Sequence, residues 1–134
     1  MTDVVVDTSA VVALLTGESS GDRVAHAMED SDRLLISAAT LVELGIVLET
    51  RLGPVGSAVI GRFLRASHLE VIEVDRETAH AAVDGWRRFG KGRHPAGLNY
   101  GDSFVYALAT ALGASVLCLG DDFARTDVAV VDLT

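Results

Sequence analysis

Short apolar runs without polar alternation constrain this chain most: Val4-Val5-Val6 near the start and Val116-Leu117-Cys118-Leu119 near the end. A strand with one wet face alternates apolar and polar residues, whereas an unbroken apolar run belongs to a strand covered on both faces. Between such runs the chain changes to a helical period. The clearest case places Ala79, Ala82, Val83, Trp86 and Phe89 at i, i+3, i+4, i+7 and i+10. Strands separated by helices need crossover connections, so the pattern predicts an α/β fold, a three-layer α/β/α domain around a mostly parallel sheet. The 134 residues are read as one domain, 1–134, large enough to bury a core without disulfides.

Local signals divide the chain further. Val4 to Val6 is a predicted strand, Ala10 to Leu15 a short helix, Gly17 to Gly21 a turn and Asp22 to Glu29 a second helix. Leu34 to Ile36 is a strand, and Ser37 caps a helix running to about Glu49 with Leu41, Leu44 and Leu48 at helical spacing. Gly53-Pro54 breaks the chain before a helix that turns Val55, Val59, Phe63 and Ala66 to one side. Val71 to Val74 is a strand, Gly90 ends the helix that follows, and Lys91 to Tyr100 is a loop. A helix from Asp102 to about Leu112 buries Phe104 or Val105, with Leu108 and Leu112, and stops at Gly113. Ser115 to Leu119 and Val128 to Val131 are the last two strands, the final one at an edge.

No segment approaches 18 consecutive apolar residues, and Met1-Thr2-Asp3 lacks the basic start of a signal peptide, so a cytoplasmic protein without a membrane span is expected. Cys118, the single cysteine, sits inside an apolar run and reads as a small buried hydrophobe rather than a reactive thiol. The net charge of −8 opposes a general electrostatic grip on nucleic acid. Its distribution is uneven. Arg87, Arg88, Lys91 and Arg93 supply four of the eleven basic residues within the acid-free stretch Arg87 to His94. That stretch is either a solvated helix end complementing the helix dipole or a phosphate-binding patch.

Four acids stand where such a fold gathers its functional groups. Asp7 ends the first strand, Asp121 follows the fourth by one glycine, Asp102 opens a helix, and Glu43 interrupts an otherwise apolar helix. Ligands of open parallel sheets bind beyond the carboxyl ends of the strands. Carboxylates collected there repel one another unless protonated or neutralised by a cation, which points to a divalent metal. Each acid has a structural alternative. Asp7 can cap the next helix, but Thr8 and Ser9 offer the same service and would then orient Asp7 instead. Glu43 can pair with an arginine, Asp102 can cap its own helix, and Asp122 and Asp127 compete with Asp121 for the fourth place.

The ordered set resembles a known family. Asp7-Thr8-Ser9-Ala10 after an opening valine strand, Ile36 to Leu44 with Glu43, Leu98-Asn99-Tyr100-Gly101-Asp102-Ser103, and Leu119-Gly120-Asp121-Asp122-Phe123 with Thr126-Asp127 are similar to PIN-domain nucleases, specifically to the VapC toxins of bacterial toxin–antitoxin pairs. The resemblance spans nearly the whole chain. It implies a Mg²⁺- or Mn²⁺-dependent endoribonuclease, inhibited by a small partner antitoxin and assembling as a homodimer. By position it marks Asp7, Glu43 and Asp102 as the core acids, with the fourth chosen among Asp121, Asp122 and Asp127 and with Thr8 and Ser9 supporting the first.

The expected mechanism assigns Asp7 and Asp102 to the metal directly, and Glu43 and Asp121 to metal-bound waters or a second ion. Water activated by the metal would attack the phosphodiester in line, leaving the 5′-phosphate and 3′-hydroxyl expected of the family. Arg87, Arg88, Lys91, Arg93 and His94 would guide the RNA backbone, and a structured loop of tRNA or rRNA suits the way proteins read RNA. Two alternatives compete with this expectation. A haloacid-dehalogenase-type phosphatase also starts from an Asp after the first strand, but needs a second Asp where this chain has Ser9. A non-catalytic acidic module or receiver-like domain would hold the acids without cutting RNA.

Overall fold

In the computed structural model, which describes residues 2–134, four parallel strands stand in the order β3-β2-β1-β4. They are β1 (Asp3–Val6), β2 (Arg33–Ser37), β3 (Glu70–Ile72) and β4 (Ser115–Leu117). β1 is central: Val4 lies opposite Leu34 of β2, and Val5 opposite Val116 of β4. Alternate residues of each run enter opposite cores, as unbroken apolar strands require. Val4, Val6, Leu34, Ile36 and Leu117 pack with α1 (Thr8–Leu15), α2 (Gly21–Glu29), α3 (Ala38–Leu52) and α4 (Gly56–Ser67). Val5, Leu35, Val116 and Cys118 pack with α6 (Tyr100–Leu112), against which α5 (Arg76–Phe89) lies. Val5, Val6, Leu35 and Ile36 are wholly buried, and each such side chain stabilises the fold by roughly 1.5–3 kcal/mol.

This arrangement fixes where a site can form. The α1–α2 connection carries the chain from β1 to β2 on one face, and α5–α6 carries it from β3 to β4 on the other. β1 and β4 are therefore neighbours whose crossovers depart to opposite faces, leaving a crevice at their carboxyl ends.

Local differences from the sequence reading have physical causes. The final segment forms no strand: it touches the sheet at one bridge, Val116 with Val130, held by the Val116 amide on the Ala129 carbonyl and the Val131 amide on the Val116 carbonyl, both at 2.9 Å. Strand β3 covers Glu70–Ile72 rather than Val71–Val74 and is exposed at its edge. Ser37 caps α3 as expected, accepting the Ala39 amide at 3.2 Å, but the helix continues to Leu52. Helix α6 begins at Tyr100, two residues early, because Asn99 is its cap. On α5 the apolar stripe is only partly covered: Ala82 is buried while Val83 and Trp86 are 46% and 40% exposed. Gly85, absent from the stripe, is the residue that brings α5 close, since a Cβ there would run into the Tyr106 ring.

Helices α3 and α4 form an antiparallel hairpin through the 3-10 turn Gly53–Val55, where Gly53 adopts φ 75°. A Cβ on Gly56 would meet the Leu48 carbonyl at 2.9 Å, so α4 starts hard against the last turns of α3. Ala38–Ser67 taken as a whole has the length and mean hydropathy (1.2) of a membrane span. The break divides it into helices of 15 and 12 residues, and 15 residues rise only about 22 Å, short of a hydrocarbon core of roughly 30 Å.

Candidate active site

The crevice at the ends of β1 and β4 opens into a cleft of about 510 Å³ lined by Asp7, Glu43 and Asp102 together with Thr8, Ser9, Glu18 and Arg51. Three elements bring the acids there. Asp7 is the first residue beyond β1, and its amide still donates to the Leu117 carbonyl of β4 at 2.9 Å. Glu43 rises from the second turn of α3, and Asp102 stands in the first turn of α6.

Asp7 is itself the cap of α1. Its Oδ2 accepts the Ser9 amide at 3.1 Å and the Ser9 hydroxyl at 2.5 Å. That hydroxyl also accepts the Leu119 amide at 3.0 Å, so Ser9 pins Asp7 to the end of β4. Capping and site geometry are thus one arrangement, and the three candidate caps do not leave Asp7 unoccupied. Thr8 turns elsewhere, donating its hydroxyl to Glu43 Oε1 at 2.6 Å. Glu43 lies close against Gly101, where a Cβ would stand 2.6 Å from Oε2, so only glycine lets this carboxylate sit beside Asp102. Asp102 forms a capping box: its backbone amide donates to Asn99 Oδ1 at 2.9 Å, and its Oδ2 accepts the Asn99 amide at 3.1 Å.

The electrostatics record crowding. Burial raises the Asp7 carboxyl above its ordinary value, the Ser9 hydroxyl and amide oppose that, and the Glu43 charge raises it further. Burial pushes Asp102 up to about 6 against the pull of the Asn99 amide, with the charges of Asp7, Asp122 and Glu43 adding to the rise. Cys118 beneath the site is pushed up to about 12, first by burial and then by Asp7, Asp102 and Asp122. It is an inert, buried hydrophobe, as its place in an apolar run suggests.

The three candidates for the fourth acid are placed differently. Asp121 turns to Arg125, with Oδ2 to Nη2 at 2.9 Å, and is 69% exposed. Asp127 accepts the Tyr106 hydroxyl at 2.8 Å and pairs with Arg88 at 3.0 Å, which commits it to structure. Of the three candidates, Asp122 is the one whose charge acts on Asp102.

The basic segment does not line the cleft. Arg87 pairs with Asp84 at 3.3 Å, Arg88 holds Asp127 and the Tyr106 hydroxyl, and the Arg93 guanidinium lies 4.8 Å over the Trp86 ring. His94 Nδ1 accepts the Ala96 amide at 3.0 Å, and Lys91 has no ion-pair partner among the described residues. The segment leads into Asn99, so it is joined to the site through the cap of α6. The cation that does line the cleft, Arg51, is one the sequence reading misses. Glu18 and Gly101 are missed as well. Glu43, Val47 and Arg51 follow at i, i+4 and i+8, one face of α3, and that spacing is the signal that could have found Arg51.

The donor set fits a hard divalent cation. It is all oxygen, and two of its carboxylates are held above their ordinary proton affinity, the state that a cation relieves. No group of three acidic, histidine or cysteine side chains among the described residues is compact enough to hold an ion by itself. Mg²⁺ suits such a site, because it retains several waters and takes one or two protein carboxylates. Ser9, where a dehalogenase-type phosphatase needs a second Asp, is a positioning hydroxyl.

The PIN domain family matches residues 4–129. Ribonuclease VapC of Mycolicibacterium smegmatis is 43% identical over 127 residues, covering 95% of this chain and 98% of its own. Ribonuclease VapC30 of Mycobacterium tuberculosis is 41% identical over 129 residues, covering 96% and 98%. Among solved structures, DNA-bound VapBC from Salmonella typhimurium matches all of both chains with a TM-score of 0.80 at 22% identity. Mycobacterium tuberculosis VapC20, a sarcin-ricin loop cleaving toxin, covers 96% of this chain and 98% of its own at a TM-score of 0.79 and 18% identity. The structural likenesses establish a common fold, and the sequence likenesses go further: the chain belongs to the PIN-domain family and, within it, to the VapC ribonucleases.

Proposed function

We propose that this chain is the toxin of a type II toxin–antitoxin pair, a Mg²⁺- or Mn²⁺-dependent endoribonuclease that cuts a structured loop of tRNA or rRNA. The observation that carries the reading is the convergence of Asp7, Glu43 and Asp102 on one cleft beyond the ends of β1 and β4. Asp7 and Asp102 would hold the ion directly, Glu43 would complete the acidic wall of the cleft, and Asp122 would stand as the fourth acid in place of Asp121. Bound there, the ion would lower the pKa of a water and neutralise charge at the scissile phosphate.

The chain's own residues supply the preorganisation. Ser9 fixes the Asp7 carboxylate against the end of β4, and Thr8 fixes Glu43 through its hydroxyl. The capping box holds Asp102 at the start of α6, where the helix N-terminus favours negative charge and so the ionised ligand. A loop substrate accords with the sarcin-ricin loop cleavage named for VapC20. An antitoxin partner accords with the VapBC complexes of the same fold, including that from nontypeable Haemophilus influenzae. A homodimer in the cytoplasm completes the proposal; Val42 and Ile46 on α3, each 63% exposed, are apolar surface that assembly would cover.

Purified protein incubated with total RNA should cleave in Mg²⁺ or Mn²⁺ and stop in EDTA, and Asp7→Asn should be inactive in either metal. Mapped fragments should begin with a 5′-phosphate. Undiminished cleavage in EDTA or by Asp7→Asn would sink the metal-dependent mechanism.

A further inference from the structure

We propose that Arg51 is an RNA-binding residue of this site, gripping a backbone phosphate beside the scissile one, and that Glu18 occupies its guanidinium until RNA displaces it. The inference rests on the ribonuclease reading and adds to it the residue that brings a polyanion to an acidic cleft. Four carboxylates line that cleft, Asp7, Glu18, Glu43 and Asp102, against one cation among the described residues, Arg51. A phosphodiester entering it meets repulsion from every charged lining group except that guanidinium.

The placement of Arg51 is set by α3. Arg51 lies two turns beyond Glu43 on the same face, with Val47 between them. Eight residues rise about 12 Å. At that separation Arg51 serves a neighbouring phosphate rather than the one being cut, which is a binding and positioning role.

The pairing with Glu18 is a weak one. Arg51 Nη1 stands 3.8 Å from Glu18 Oε2, with side-chain exposures of 54% and 47%. Glu18 is further shared, since the Thr16 hydroxyl donates to the same oxygen at 3.3 Å. An exposed pair of this length contributes little to folding. Guanidinium can take carboxylate or phosphate bidentately, but Glu18 makes only one long contact here, so a phosphate bound through two hydrogen bonds would displace it. The two arginines of the basic segment nearest the cap of α6 differ: Arg88 is engaged by Tyr106 and Asp127, and Arg93 covers Trp86, so both are tied to structure. Arg51 is held loosely and faces the acids.

The test is equilibrium binding of a labelled RNA stem-loop to full-length protein carrying Asp7→Asn, so that affinity is read without turnover. Adding Arg51→Ala should weaken binding roughly fivefold and lower the log–log salt slope by about 0.7, the value for one phosphate on a single strand. Arg51→Lys should keep the slope and lose less affinity. Glu18→Gln should tighten binding, and that gain should shrink when Arg51 is already alanine, because the two residues act as a pair. In the Asp7-containing enzyme, Arg51→Ala should raise KM more than it lowers kcat, with a thermal midpoint within about two degrees of the parent. Unchanged affinity and slope on Arg51→Ala overturn the proposal, as does a shift of Arg51→Ala and Glu18→Gln in the same direction, the signature of a merely structural pair. Absence of RNA cleavage by the Asp7-containing protein in Mg²⁺ or Mn²⁺ would instead strike the ribonuclease reading on which this inference stands.

Discussion

Asp102 serves two purposes that oppose each other energetically. As a member of the Asn99 capping box it stabilises α6, and as a half-buried carboxylate facing Asp7, Glu43 and Asp122 it is a charge the metal-free fold holds at a cost. Its folded pKa, about 6, lies above the unfolded value of 3.8. Between those values the folded protein keeps a proton that the unfolded chain has lost, so stability falls as pH rises through this window. Above about 6 the loss is complete, and solvent screening of this partly exposed group keeps it to about 1–2 kcal/mol. Asp7 is displaced in the same direction. Asp102→Asn removes the charge yet keeps an oxygen for the Asn99 amide. In EDTA at pH 7 the variant should therefore unfold at higher denaturant than the native protein, with the advantage fading toward pH 4, while RNA cleavage is lost. A variant less stable than native at pH 7 would show that the cap outweighs the repulsion. Mg²⁺ should raise the native midpoint and leave the variant nearly unmoved, since the ion stabilises only a state that binds it.

Helices α3 and α6 meet at one point that decides the site, Glu43 against Gly101. An alanine Cβ at 101 would fall 2.6 Å from Glu43 Oε2 and 3.0 Å from Cδ. The obstructed group is the end of a flexible side chain, so the carboxylate swings away and the helices stay where they are. Gly101→Ala should keep or slightly raise the thermal midpoint, given alanine's better helix propensity, while cleavage falls on the order of tenfold or more as Glu43 leaves Thr8. Gly85→Ala makes the contrast. Its Cβ would strike the Tyr106 ring, and a ring buried between α5 and α6 cannot swing clear, so a destabilisation of about 1–3 kcal/mol is expected. Circular dichroism melts beside RNA cleavage separate the two cases. These approaches also mark the limit of what the sequence disclosed. Unbroken runs such as Val4-Val5-Val6 disclosed a doubly covered parallel sheet, because burial on two faces leaves no freedom for polar residues. The meeting of Asp7, Glu43 and Asp102 in one cleft was legible from topology, which brings a strand end and two helices to the same edge of the sheet, although Asp7 and Asp102 are helix caps as well. Asp121 stands exposed beside Arg125, because nearness to the strand end does not determine which way a side chain turns. Val128 to Val131 misled because β propensity cannot tell a strand from a segment touching the sheet at one bridge.

Across the molecule, charge is segregated rather than balanced. The stretch Arg87 to His94 carries four cations and no acid, in a chain whose net charge is −8. Its members divide by what they hold. Arg88 ties α5 to Asp127 and to the Tyr106 hydroxyl, securing the segment that reaches β4 through Val130. Arg93 lies over Trp86 and donates from Nε to the Arg87 carbonyl at 3.1 Å. Arg87 has only a surface pair with Asp84, 60% and 69% exposed, and Lys91 has no ion-pair partner among the described residues. Replacing the whole patch with alanine would therefore mix folding with binding. Arg88→Met should destabilise the chain by about 1 kcal/mol, both of its partnerships being half exposed. Arg87→Ala with Lys91→Ala should leave stability within roughly 0.5 kcal/mol. If the segment guides RNA toward Asn99 and the cleft, that pair of substitutions should also lower the salt slope of binding by about 0.7 for each phosphate no longer neutralised. Urea melts and salt titrations on the same variants decide the matter: an unchanged slope places the RNA track elsewhere and leaves the segment as a scaffold for the cap of α6.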